Sequence, residues 1–195
     1  MSDSDKIIIR SVVSTDIEAI MQIEYESFLP GVREERGLYV KRIALFPQGF
    51  LVAQNTDTGE IGGYIASEIW REEQSISSEA LALGHDPQTV HDKNGRCLYI
   101  TSFGTLSSWR GKKIGLALFE ALEAKIKTDF PHVIKKILIV SEEWTAARNL
   151  YSKKGFIETG RIADFFTPDH LPPQAAVIMM KNDRQSDINP AALLF

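Results

Sequence analysis

The feature of this sequence that most restricts its fold is the junction between residues 97 and 122, where the hydrophobic period changes within a few positions. Cys97 to Leu106 has the composition of a strand. From Arg110 onward Ile114, Ala117, Leu118, Ala121 and Leu122 recur on one face of a helix. Between the two periods, the run Arg110-Gly111-Lys112-Lys113-Ile114-Gly115 places three cations and two glycines at the expected helix start. A strand feeding a helix through so short a connection points to a mixed α/β architecture.

The flanking segments fit that class. Ile7, Ile8, Ile9, Val12 and Val13 form a β-branched run, and Thr15-x-x-Glu18 is a capping-box pattern that predicts a helix. Ile17, Ile20, Met21, Tyr25 and Phe28 recur at helical spacing up to Pro30-Gly31. Val40, Ile43, Ala44 and Phe46 predict a second short helix closed by Pro47. Phe50 to Gln54 and Ile61 to Trp70 are strand runs joined through Asn55 to Gly59, so antiparallel pairing is expected. Residues 71 to 95 form a polar excursion long enough to be a functional loop. Ile134 to Val140 reads as a central strand, Thr145 to Lys154 as a helix closed by Gly155, and Phe156 to Ile162 with Ala175 to Lys181 as a last strand pair. The expected organisation is a single domain over residues 1–181 and a tail over 182–195, flexible or docked by Leu193-Leu194-Phe195.

Composition removes several classes of function. The 22 basic and 26 acidic side chains give a net charge of −4, which argues against nucleic acid as a partner. Cys97 is the only cysteine, so no intramolecular disulfide and no four-cysteine zinc site can form, and a cytoplasmic location is expected. Apolar runs such as Ala175 to Met180 fall far short of the ~20 residues a membrane span needs. The steps His85-Asp86 and His91-Asp92 read as solvated turns, so no metal is expected.

The junction itself suits an anion. The first amides of a helix lack internal partners and the helix dipole is positive there, so a phosphate docks at that end and glycines let it approach the backbone. Basic side chains oppose that dipole, and their accumulation beside two glycines is explained by a bound anion, a diphosphate being the natural guest. Neither Gly-x-x-x-x-Gly-Lys-Ser/Thr nor Gly-x-Gly-x-x-Gly is present, which argues against NTPase and dinucleotide readings.

Two motifs together resemble the GNAT superfamily of acetyl-CoA-dependent N-acyltransferases. Arg110-Gly-Lys-Lys113-Ile-Gly115 is similar to that family's Arg/Gln-x-x-Gly-x-Gly/Ala pyrophosphate loop, with Lys113 replacing the middle glycine. Ala147-Arg-Asn-Leu150-Tyr151-Ser-Lys-Lys-Gly155-Phe156 is similar to its Ala-x-x-Leu-Tyr-x-x-x-Gly-Phe signature. The resemblance covers residues 7 to 181 and implies a mostly antiparallel twisted sheet with two central, splayed parallel strands, residues 97–106 and 134–140, and flanking helices. It implies that acetyl-CoA lies against backbone of Phe103, Gly104 and Thr105, with its pyrophosphate on Arg110, Gly111, Lys112, Lys113, Ile114, Gly115 and Leu116. Gly104 then either leaves room for the thioester or is a bulge glycine. Tyr151 is the implied general acid for the departing thiolate.

The base and the acceptor are less sharply indicated. Neither central strand carries a carboxylate or a histidine, and Tyr99 and Thr101 stand where the similar arylalkylamine enzymes have histidines. The proton then passes to water or to a group such as Glu26, Glu68, His85, Glu142 or Glu143. Phe28, Tyr99, Phe165 and Phe166 are candidates to line an amine pocket. The expected acceptor is a small amine such as an arylalkylamine, or a peptide N-terminus, since the C-terminal half also resembles ribosomal-protein alanine N-acetyltransferases. A catalytically weak acyl-CoA-binding module is the alternative, and a homodimer through the apolar tail is an open expectation.

Overall fold

The β-branched start forms β1 (Ile7–Ser11), and two helices follow, α1 (Ile17–Ser27) and α2 (Arg36–Leu45). The predicted hairpin is β2 (Phe50–Asn55) with β3 (Ile61–Trp70). A short helix α3 (Pro87–Val90) precedes β4 (Cys97–Thr105), after which come α4 (Ile114–Asp129), β5 (Lys135–Ser141), α5 (Thr145–Lys153), β6 (Ile157–Phe166) and β7 (Gln174–Asn182). The structure, a computed structural model, describes residues 6–71 and 79–183. The tail, with its apolar end, and residues 72–78 of the polar excursion lie outside them.

The seven strands make one sheet in the order β1-β2-β3-β4-β5-β7-β6. All neighbours are antiparallel except β4 and β5, which run parallel. Their pairing runs from Cys97↔Lys135 to Ile100↔Leu138 and stops, while β4 continues to Thr105 and β5 to Ser141. The expected splayed pair is therefore present at the centre of the sheet. It opens where β4 carries an extra residue: Ala66 faces Ser102, but Ser67 faces Ile100, which makes Thr101 a bulge.

The two faces of the sheet are covered by different helices. A Cβ on Gly63 would meet Leu118 of α4, whereas a Cβ on Gly104 would meet Ser27 and Ile23 of α1. Gly63 and Gly104 are paired with Thr105 and Tyr64 respectively, so they point to opposite faces. Gly104 is thus glycine because α1 packs onto β4 there, and the bulge lies three residues earlier. The helix α1 starts differently from its predicted capping box. The Asp16 carboxylate, not Thr15, closes the entry turn, accepting from Val13 N–H at 2.8 Å and from Arg10 at 2.7 and 2.8 Å.

On the α2 side a buried ion network ties three segments together. Arg42, 1% exposed, donates to Glu34 and to Glu68 at 2.9 Å. Glu68 also bonds Trp70 Nε1 at 2.8 Å and His85 Nε2 at 2.9 Å. Burial works against both charges. The His85 hydrogen bond and the Arg42 charge nevertheless hold Glu68 below the usual carboxylate range, and its bond to Glu68 holds His85 above the usual histidine value. At the far margin of the sheet β6 is mostly exposed, its Glu158 and Arg161 pair on the surface at 2.6 Å, and its register breaks between Ile162 and Phe166 around Asp164 at φ 52°. No helix among the described residues is long and apolar enough to cross a membrane.

Because the folded-state pKa of His85 is raised above its ordinary 6.5, its pairing with Glu68 stabilises fully below about that pH and is lost as the pH rises through the folded value. Urea unfolding is expected to show wild type losing stability as the pH rises above about 6.5, with His85→Gln flat over the same range. Parallel slopes for the two proteins would show that the imidazolium contributes nothing.

Candidate functional site

The parting of β4 and β5 leaves facing backbone edges, residues 101–105 and 139–141, without ladder partners across the gap. A cleft of about 590 Å³ occupies it. It is lined by both strand edges and reaches from Glu24, Ser27 and Phe28 on the α1 face to Arg110, Gly115 and Tyr151 on the α4 side.

The Arg110 end is built from backbone. The sequence places the helix start at Arg110, but α4 begins at Ile114, because Gly111 at φ 77° and Lys113 at φ 61° hold a left-handed turn ahead of it. The first intrahelical bond runs from Ala117 N–H to Lys113 C=O, so the amides of Ile114, Gly115 and Leu116 have no acceptor within the helix. Arg110, Gly111, Lys112 and Lys113 are all exposed. Free amides, a helix dipole and three cations converge here, an arrangement suited to a diphosphate. The position where glycine was expected is thus met by a lysine that adopts the glycine-like conformation.

Tyr151 of α5 is buried, with its ring 5.9 Å from Phe119 and 6.2 Å from Phe156, and it lines the cleft. Burial pushes its phenol well above the ordinary value, so it is protonated at neutral pH. Gly155 at φ 86° ends that helix as the sequence predicts, and Phe156 N–H returns to Tyr151 C=O at 3.1 Å.

The opposite end is aromatic and acidic. Phe28 and Trp144 lie 5.4 Å apart, Trp144 and Phe166 5.3 Å, and all three line the cleft together with Glu24, Glu34 and Glu143. Tyr99 does not join them. The Thr101 bulge puts it beneath Trp70, at 4.2 Å between rings, and beside His85 at 5.9 Å, where it is 2% exposed and does not line the cleft. Phe165 packs behind Phe166 at 4.9 Å, likewise off the lining. Of the carboxylates and histidine named as bases, Glu68 and His85 are locked in the Arg42 network, Glu142 bonds Ala175 N–H and Arg161, Glu26 lies at the surface against Ser107, and Glu143 alone faces the cleft. Among the described residues no group of three metal-ligating side chains occurs.

Sequence reasoning missed Glu24. It is 1% exposed, and its carboxylate accepts from Glu34 N–H at 2.9 Å, from Tyr39 Oη at 2.8 Å and from Tyr64 Oη. Ser102 Oγ joins the two phenols, 2.8 Å from Tyr64 and 3.1 Å from Tyr39. Burial raises the Glu24 pKa, against the lowering by these donors. A signal was available: Glu24 stands four residues after Ile20 and three after Met21, on the stripe that buries α1, while Tyr25 is 55% exposed. Close by, Ser27 Oγ is the one buried side-chain polar atom without a hydrogen-bond partner among the described residues.

Comparison with known proteins agrees with this geometry. The model of the acetyltransferase (GNAT) family matches residues 17–156. The chain belongs to that family. A search of curated protein sequences returns no match. Among solved structures, a GphF GNAT-like decarboxylase in complex with isobutyryl-CoA superposes with a TM-score of 0.73 at 18% identity, covering 91% of this chain and 100% of the other. The ribosomal-protein alanine N-acetyltransferase from Escherichia coli gives 0.66 at 17% identity, over 90% and 93% of the two chains. Naa50 from Arabidopsis thaliana, in complex with a CoA bisubstrate analogue, gives 0.66 at 19% identity over 91% and 99%. At these identities the likeness establishes the GNAT fold, with its seven-stranded sheet and one parallel pair.

A left-handed conformation costs a non-glycine residue roughly 1–2 kcal/mol, part of which glycine's greater unfolded-state entropy offsets. Lys113→Gly is therefore expected to raise the urea midpoint of this GNAT chain by an amount equivalent to about 1 kcal/mol or less. A lowered midpoint would mean that the lysine side chain stabilises the loop through contacts of its own.

Proposed function

We propose that the chain is an acyl-CoA-dependent N-acetyltransferase that moves an acetyl group from acetyl-CoA to a primary amine. The cleft through the parted strands carries this reading, since it joins a phosphate-seeking helix start to an aromatic, carboxylate-bearing chamber. The residues present fit the cosubstrate: the amides and cations of Arg110 to Leu116 suit the pyrophosphate, and the open strand edges of Phe103, Gly104 and Thr105 suit a pantetheine arm. The unpartnered Ser27 hydroxyl, beside Gly104 in the cleft, is a donor available to an acyl carbonyl bound there.

In this reading the amine nitrogen attacks the thioester carbon, the C–N bond forms, the C–S bond breaks, and Tyr151 gives its proton to the leaving thiolate. The aromatic walls and nearby carboxylates favour an apolar cationic amine, so a small arylalkylamine is the first acceptor class and a peptide N-terminus the second. A binding module without turnover is distinguished by experiment. Calorimetric titration with acetyl-CoA should show binding that Arg110→Glu, an exposed position, weakens by about tenfold to a hundredfold, the equivalent of one charge-assisted hydrogen bond. Tyr151→Phe should bind acetyl-CoA normally and lose about a hundredfold in turnover. Full turnover in Tyr151→Phe would remove its acid role; binding without transfer to any amine or peptide would favour the module.

A further inference from the structure

An amine that attacks a thioester must shed a proton, yet the segments of β4 and β5 that line the cleft carry no carboxylate and no histidine. We infer that Glu24 receives that proton through Ser102 and the paired phenols of Tyr64 and Tyr39, with Ser102 the group that meets the amine. The inference rests on the N-acetyltransferase reading above.

The geometry is that of a short relay with one open end. Ser102 lines the cleft, its Oγ lies 2.8 Å from Tyr64 Oη, and the Tyr64 hydroxyl donates to Glu24 Oε2. Tyr39 supports the same oxygen at 2.8 Å and lies 2.9 Å from Tyr64 Oη. Once both phenols donate to Glu24, neither has a proton left for Ser102. The serine hydroxyl can then donate to Tyr64 Oη, which leaves its oxygen free to accept from a group in the cleft. Protons can therefore enter at Ser102 and run inward.

Glu24 differs from its acidic neighbours in having no cation. Glu34 and Glu68 are both held by Arg42, but Glu24 takes part in no ion pair among the described residues. A buried carboxylate kept for stability alone is ordinarily paired, because desolvating a lone charge is costly. The groups that face Glu24 are Tyr39 from α2, Tyr64 from β3, Ser102 beyond them on β4, and Glu34 with its amide from the α1–α2 connection. Burial and the Glu34 charge raise the Glu24 pKa and the donors lower it, for a net rise that brings it nearer neutral pH, where a base is most effective.

The step balances. The step starts from the neutral amine, a bound ammonium having first given one proton to solvent; as the C–N bond forms, an N–H bond of the amine breaks and its proton passes to Ser102 Oγ. The serine proton moves to Tyr64 Oη, and the tyrosine proton moves to Glu24 Oε2. Both hydroxyls are regenerated, and Glu24 ends as a neutral carboxylic acid, the form its burial favours. Tyr151 supplies the separate proton that the thiolate needs. The cycle closes when Glu24 returns its proton to solvent along the same chain and Tyr151 regains one from water.

Three variants test this: Glu24→Gln, Ser102→Ala and Ser102→Thr. Each is titrated with acetyl-CoA and assayed across pH with phenethylamine and an alanyl peptide as acceptors. Glu24→Gln is expected to bind acetyl-CoA as wild type does, lose about a hundredfold or more in kcat/KM and lose the acidic limb of the pH profile. Ser102→Ala is expected to fall at least about tenfold, and Ser102→Thr, which keeps the hydroxyl, to recover most of that loss. Wild-type rates and an unchanged acidic limb in Glu24→Gln would overturn the relay. Should Glu24→Gln fail to fold, an unimpaired Ser102→Ala overturns it equally. A wild type that binds acetyl-CoA but acetylates no amine would instead overturn the transfer reading on which the relay stands.

Discussion

The point on which the molecule turns is the end of the β4–β5 ladder at Ile100↔Leu138. A parallel pair in mid-sheet would normally continue, because buried N–H and C=O groups left without partners are costly. Here the two strands are held apart from both sides. β4 stays paired with β3 out to Thr105, across the Thr101 bulge, β5 stays in register with β7 out to Ser141, and α1 and α4 press on opposite faces. The gap is therefore enforced by better pairing elsewhere, and the edges it exposes are the surface a linear substrate can meet as another strand would.

What surrounds the gap divides by chemistry as well as by position. The α4 end combines free main-chain amides with the exposed cations Arg110, Lys112 and Lys113. The α1 face is aromatic and acidic and made from side chains of four separate segments. That division fits a lysine in a turn built for glycine: the amides of Ile114, Gly115 and Leu116 stay without helical acceptors so long as residue 113 reaches φ 61°. It also explains why Gly104 permits no larger side chain, since α1 must come close enough for Glu24 and Ser27 to reach the cleft.

The fold was largely legible in the sequence because hydrophobic period is a local property. The strands, the four main helices, the hairpin through Asn55 to Gly59 and the Gly155 stop all follow from spacing and turn chemistry. Element boundaries were less so where a turn competes with a helix, as at Arg110 to Lys113, or where a neighbouring acid captures the cap, as Asp16 does. Tyr99 lies off the cleft, under Trp70, and the break in alternation along β4 at Thr101 is a register feature that local reading does not show. The Glu24 assembly lay beyond local reading. Its partners come from positions 15, 40 and 78 residues downstream, and only the packing of α1 and α2 on the sheet brings them to one place. A carboxylate on a stripe of isoleucines was the visible trace of it.

The irregular outer strand has its own consequence. β6 closes the sheet with an open row of backbone groups, and such a margin is a template on which other chains can add strands and build fibres. Here the row is broken by the left-handed Asp164, loses its register after Ile162, and is fenced by Glu158 and Arg161, so an incoming strand would find neither a regular edge nor an uncharged one. At this edge the protection against aggregation is thus written into the most exposed strand of the sheet.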